Sequence, residues 1–213
     1  MPSDLAFIHR FEPGERLEAP PLLLLHGTGG DETDLLPLGR AVSPGSALLA
    51  PRGQVLEHGM PRFFRRLAEG VFDEDDVRRR AHELADFVQA ARARYGIAAP
   101  LALGFSNGAN IAAAMLLLRP EALAGAVLLR AMVPLTETPK VDLSDKPVLI
   151  VSGQFDPIIP ASNAAQLAAS LTRAGATVEH PVLPTGHQLS QADLTIAKQW
   201  MSNAALPRRQ DAL

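Results

Sequence analysis

A chain of 213 residues, 47% apolar and 20% charged, has the size and make-up of an ordinary globular domain with a substantial buried core. Its 20 basic and 23 acidic side chains leave a formal charge of −3, a balance that argues against binding nucleic acid or an anionic membrane. Cysteine is absent, which excludes disulfides, thiolate catalysis and cysteine-bound metal.

The N-terminal "MPSDLAFIHRF" lacks the basic and apolar regions of a secretory signal, and the longest apolar runs, such as "IAAAMLLL", are far too short to span a bilayer. The cytoplasm is the default compartment, and residues 1–213 read as one domain. "LAFIHRF" suits an antiparallel strand at a sheet edge. "PLLLLHG" (21–27) reads as a buried strand ending in a glycine turn, "DLLPLGRAV" (34–42) as a short helix and "SALLAPRG" (46–53) as a second strand.

"FDEDDVRRRAHELADFVQAARARYG" (72–96) is the clearest helix: Asp73 can cap it, Asp76 follows three residues on, and Gly96 stops it. Val77, Ala81, Leu84, Ala85 and Val88 give it one apolar face. "PLALGF" (100–105) is a strand, followed by a helix over 107–118. "AGAVLLR" (124–130) and "PVLIVSG" (147–153) are further apolar strands. A helix over 162–175, a strand "TVEHPVL" (177–183) and a helix over 190–205 capped by Ser190 complete the order; the tail from about 206 reads as frayed. Continuous apolar strands alternating with helices predict a mostly parallel sheet covered on both faces. Two connections, 51–72 and 130–146, are long for this architecture, and loops of that kind are often functional.

The motif Gly104-Phe105-Ser106-Asn107-Gly108 joins the strand over 100–105 to the helix that follows. Gly-x-Ser-x-Gly carries weight only in that context, where a tight turn lifts the serine hydroxyl above the carboxyl edge of the sheet. The alternative is a serine that merely caps the helix, but a cap needs no glycine on either side. A serine hydroxyl needs a base, and an imidazole needs orienting. Asp156 stands in "QFDPIIP" after one strand, and His187 in "PTGHQLS" after the next. Both belong to the edge that carries Ser106, in the chain order Ser, acid, His.

Other candidates fit less well. Asp142 and Asp145 precede their strand, His82 lies on a helix surface, His180 is within a strand, and His9 and His58 have no strand-end context. An oxyanion needs amide donors. Asn107 N–H is one. "HGTGGDETD" after the first parallel strand supplies the other, placed at Thr28 N–H, with His26 as a hydrogen-bonding support beneath the loop. That loop lacks the lysine of a Walker motif and the spacing of a dinucleotide fold, and its acids Asp31 and Glu32 would repel phosphate.

"LLHGTGGDETDLLPLGR", "GFSNGAN", "GQFDPIIP" and "GHQLS" together resemble the α/β-hydrolase superfamily, in particular its phospholipase/carboxylesterase group, which includes bacterial carboxylesterases and acyl-protein thioesterases. "GMPRFFRRLAEGVFDEDDVRRR" resembles the small bacterial carboxylesterases near the hydroquinone-linked hydrolases. The resemblance implies an α/β-hydrolase fold and an esterase or thioesterase acting on small acyl substrates. It also implies that no cofactor is needed and that the protein is often a homodimer. Asn107 stands where many acyl-protein thioesterases carry glutamine.

No insertion is long enough for a large cap, so the two long loops should wall an open pocket. Met60, Phe63 and Phe64 from the first, and Met132 from the second, are the expected acyl contacts, with packing onto the core as the alternative. Arg65 and Arg66 suggest attraction of an anionic group or else a solvated basic edge. Rival readings are another reaction on the same triad (peptidase, lactonase or perhydrolase) and a non-catalytic binding protein that kept the fold. A metal hydrolase is disfavoured, because no His/Asp cluster has ligand spacing.

Overall fold

The structure, a computed structural model, describes residues 5–16 and 18–203. Its elements in chain order are β1 (His9–Glu12), β2 (Leu22–Leu25), α1 (Leu36–Val42), β3 (Leu48–Pro51), β4 (Val55–Glu57), β5 (Met60–Arg62), β6 (Arg66–Ala68), β7 (Val71–Phe72) and α2 (Glu74–Tyr95). They continue as β8 (Leu101–Phe105), α3 (Asn107–Leu118), β9 (Gly125–Leu129), β10 (Pro147–Gly153), α4 (Ala161–Arg173), β11 (Thr177–Glu179), β12 (Val182–Leu183) and α5 (Gln191–Asn203). The frayed tail expected from about 206 lies outside the described residues.

One eight-stranded sheet runs β1-β3-β2-β8-β9-β10-β11, with β12 also paired to β10. All its pairings are parallel except that of β1, which runs antiparallel to β3 as the edge strand expected from "LAFIHRF". Side chains alternate across each strand, so neighbouring residues enter different cores. Leu23, Leu25, Ala102, Leu128 and Ile150 join the core beneath α2, α3 and α4. Leu22, Leu24, Leu103, Leu129 and Val151 join the core beneath α1 and α5. Burial on both faces explains why these strands read as unbroken apolar runs.

Asp73 caps α2 by accepting from Asp76 N–H, and Gly96 closes it in the left-handed region at φ 65°. Three segments depart from the sequence reading. Residues 55–72 form two hairpins, β4–β5 and β6–β7, not an unstructured loop. His58 and Gly59 both take positive φ, 51° and 81°, the geometry of a two-residue hairpin turn. "TVEHPVL" is two strands, because Pro181 has no N–H for the ladder. Finally, Ser190 does not cap α5 in the usual sense: its N–H and hydroxyl both donate to the Asp193 carboxylate. The connection over 130–146 holds no helix or strand.

Candidate active site

The site grows from the register of adjacent strands. Leu25 pairs with Gly104, Phe105 with Leu129, and Leu129 with Val151, so β2, β8, β9 and β10 all end along one edge. The loops carrying Thr28, Ser106 and Asp156 leave from that edge, and the segment after β12 brings His187 to it.

Ser106 takes φ 51° and ψ −113°, a conformation that costs a non-glycine residue about 1–3 kcal/mol and persists only where surroundings enforce it. Here Ser106 N–H extends the sheet by donating to Leu129 O at 2.8 Å, while Asn110 N–H donates to Ser106 O at 3.0 Å and starts the helix. The flanking glycines permit this closeness: a Cβ at Gly104 would stand 2.6 Å from Gly108 O, and one at Gly108 only 1.9 Å from Leu25 O. The serine hydroxyl makes no capping hydrogen bond. It lies instead 3.0 Å from His187 Nε2.

The opposite ring nitrogen, His187 Nδ1, is 2.8 Å from Asp156 Oδ2. Asp156 Oδ1 accepts from Ile158 N–H at 2.8 Å and Ile159 N–H at 3.0 Å. With its side chain 1% exposed, the carboxylate is held on both oxygens and cannot swing away. Phe105 backs the imidazole, with ring centroids 5.5 Å apart. Gln154 N–H to Leu183 O, at 2.7 Å, and Phe155 N–H to Thr185 O, at 3.0 Å, lock the acid loop to the histidine loop. The structure thus brings together the three side chains picked out from the sequence.

The glycine loop after β2 is stapled from behind. Gly29 N–H donates to Pro61 O at 2.9 Å, and Arg62 Nη1 donates to Thr28 Oγ1 at 2.9 Å and to Glu57 at 3.0 Å. Burial lowers the Arg62 pKa, with Glu57 acting in the opposite sense. Thr28 N–H has no internal acceptor among the described residues. Asn107 N–H, at the first helical position, has none within α3 by geometry.

His26 lies beneath this loop. Gly53 N–H donates to its Nε2 at 3.0 Å, which places the ring proton on Nδ1, donating to Gly27 O at 2.6 Å. Burial holds the imidazole below its ordinary pKa, against the opposing effect of the Gly27 hydrogen bond. The unfolded chain, with a value near 6.5, therefore takes up the proton first as pH falls. The stabilisation is complete above about pH 6.5, fades below it as the unfolded chain binds the proton that the folded ring still refuses, and stops changing once the folded ring is protonated too. In His26→Gln the slope of unfolding free energy against pH, between about 7 and 5, should be shallower than in wild type by up to 1.4 kcal/mol per pH unit. Denaturant titrations at several pH values measure it, and equal slopes would refute the assignment.

Met60 is 40% exposed and packs over Gly29, while Met132, at 8% exposure, is buried and approaches Gly70, which corrects the expectation of acyl contact there. Phe63 and Phe64 correct the expectation of acyl contact: at 3% and 0% exposure they belong to the core. Phe63 lies against the His26 ring, with centroids 4.7 Å apart, and Phe64 against Phe72 at 4.9 Å. They pin the hairpins down because large aromatics gain most when fully desolvated. Arg65 and Arg66 are already paired, with Asp73 at 2.7 Å and Glu57 at 2.9 Å.

Of the remaining histidines, His180 bonds Ser152 Oγ at 2.8 Å, His9 bonds Tyr95 at 2.7 Å, and His82 and His58 are exposed. Among the described residues, no group of three His, Asp or Glu side chains could hold a metal, and no helix is long and apolar enough to cross a membrane.

Two functional placements escaped the sequence reading. Asn107 Oδ1 accepts from Phe63 N–H, and Asn110 Oδ1 from Met132 N–H, each at 2.7 Å. One turn of α3 therefore anchors both long loops. The signal was available, since two buried amides on an otherwise apolar helix need partners. The other is Arg130, just past the carboxyl end of β9, whose buried guanidinium pairs with Asp193.

Comparison with known proteins agrees with this architecture. The sequence profile of the phospholipase/carboxylesterase family matches residues 8–204. The chain is 44% identical over 185 residues to the protein MhqD of Bacillus subtilis (strain 168), covering 86% of this chain and 92% of that one. The solved structure of a Bacillus cereus carboxylesterase superposes with a TM-score of 0.91 at 44% identity, covering 94% of this chain and 95% of that one. A carboxylesterase from Mesorhizobium loti gives 0.89 at 34% identity, covering 95% and 97%. An uncapped, mostly parallel α/β sheet with a Gly-x-Ser-x-Gly turn at its carboxyl edge, matched along almost its whole length, places this chain in the phospholipase/carboxylesterase family of α/β-hydrolases, as a hydrolase.

Proposed function

We propose that the protein hydrolyses small carboxylic esters or thioesters through an acyl-enzyme formed on Ser106. The observation that carries the reading is the paired reach of one imidazole, 3.0 Å to the serine hydroxyl and 2.8 Å to a buried carboxylate. His187 Nε2 takes the proton of Ser106 Oγ as the oxygen attacks the acyl carbon. Asp156 keeps the ring proton on Nδ1 and stabilises the imidazolium that forms. Amides of Thr28 and Asn107 receive the oxyanion, each worth roughly 3 kcal/mol in such sites. His187 then passes its proton to the departing alcohol or thiol. A water activated by the same ring releases the acid and restores the serine.

Met60 offers the acyl group an apolar, adaptable wall. The absence of a cap suits short, accessible acyl groups. A panel of p-nitrophenyl acetate, butyrate and octanoate with matching thioesters tests the reading. Saturable turnover, highest for the short chains, is the expected result. A pure, folded protein that cleaves none of them would contradict it.

A further inference from the structure

Arg130 directly follows β9 with its backbone in the left-handed region at φ 57°, and its side chain is essentially unexposed. A buried guanidinium is tolerated only when its donors are used. Nη1 and Nη2 grip Asp193 at 2.7 and 3.0 Å. Nε donates to Gly186 O at 2.9 Å, and Nη2 reaches Thr185 Oγ1 at 3.1 Å and Gln188 O at 3.3 Å. Nη1 also meets Val151 O at 3.2 Å, on the strand that leads to Asp156. Two of the three carbonyls thus held, those of Gly186 and Gln188, belong to the residues on either side of His187. Asp193 in turn takes the Ser190 N–H at 2.8 Å and fixes the start of α5, where the histidine loop ends.

We infer that Arg130 is a positioning residue that clamps the backbone on both sides of His187 and so holds its imidazole between Asp156 and Ser106. The inference rests on the triad reading above. Burial alone requires that the guanidinium donors be used; what points to a positioning role is where they go, to the carbonyls on both sides of one histidine. The strand end also suits the task. β9 lies between β8, which delivers the serine, and β10, which delivers the acid, so a side chain at its end reaches both the strand that leads to the acid and the loop that carries the histidine. Lysine cannot substitute, because a point charge lacks the fork that serves several acceptors at once.

Arg130→Lys should lower kcat for p-nitrophenyl acetate by about 10- to 100-fold, the cost of an ångström-scale misplacement of a catalytic group, with KM nearly unchanged. Thr185→Val, which removes one tie outside the core, should lower kcat about threefold, again with KM unchanged. In Arg130→Lys the downfield proton resonance of His187 Nδ1 should broaden, because the ring is no longer held. In a His187→Ala background Arg130→Lys should have no further effect, as required of a residue acting through that imidazole.

Folded Arg130→Lys protein with wild-type kcat, or a loss that persists undiminished without His187, would overturn the inference. Should Arg130→Lys not fold, Thr185→Val decides: a wild-type kcat there overturns it. The triad reading fails separately, if His187→Ala alone keeps wild-type turnover.

Discussion

Ser106→Ala should lower kcat/KM for p-nitrophenyl acetate by on the order of 10⁴-fold or more, with a melting temperature within about 2 °C of wild type. Both halves follow from the same geometry. The hydroxyl makes no capping hydrogen bond and its side-chain partner is His187, so its removal costs the fold little. No other hydroxyl among the described residues stands within hydrogen-bond distance of that imidazole, so nothing replaces the nucleophile. The backbone at φ 51° is imposed by the sheet bond to Leu129 and the first bond of α3, both of which alanine retains. Steady-state kinetics beside a thermal melt measure the two halves together. Turnover within tenfold of wild type would assign the chemistry elsewhere.

Gly108→Ala should be the most damaging single methyl group in the molecule. The new Cβ would stand 1.9 Å from Leu25 O and 2.6 Å from His26 O. Both are backbone atoms of β2 and the start of the glycine loop, so no rotamer change relieves the clash, and α3 must move off the sheet. Overpacking costs about 1–3 kcal/mol where side chains can shift. A clash with backbone should cost 3 kcal/mol or more, lowering the melting temperature of a domain this size by about 10 °C. The move would also draw the Asn107 amide away from the Thr28 loop, so turnover should fall further than the melt alone explains. A variant that melts with wild type would show that helix and strand have room to part at no cost, contrary to the contact between Gly108 and Leu25 O.

The parallel sheet was legible because strands buried on both faces leave unbroken apolar runs. The α2 boundaries were legible because Asp73 and Gly96 act through local backbone chemistry. Ser106, Asp156 and His187 could be picked out because each follows a strand and the strands are parallel, so their ends share one edge. The hairpins over 55–72 leave little pattern in the sequence, although His58-Gly59 is a compact turn signal, because the flanking strands are only two or three residues long. The burial of Phe63 and Phe64 is not legible in the sequence, because a loop aromatic reads alike whether it lines a pocket or plugs the core. Register against His26 and Phe72 decides that, and register is a tertiary property. Arg130 was invisible for the same reason. Its role depends on acceptors at residues 151, 185, 186, 188 and 193, which only the fold assembles.

The most direct test of an activated serine at residue 106 is covalent labelling by a fluorophosphonate, with the modified residue found by peptide mass spectrometry. The account predicts a single adduct, on Ser106, abolished by Ser106→Ala and greatly slowed by His187→Ala. A protein that hydrolyses esters yet carries the phosphonate on another residue, or carries none, would contradict it.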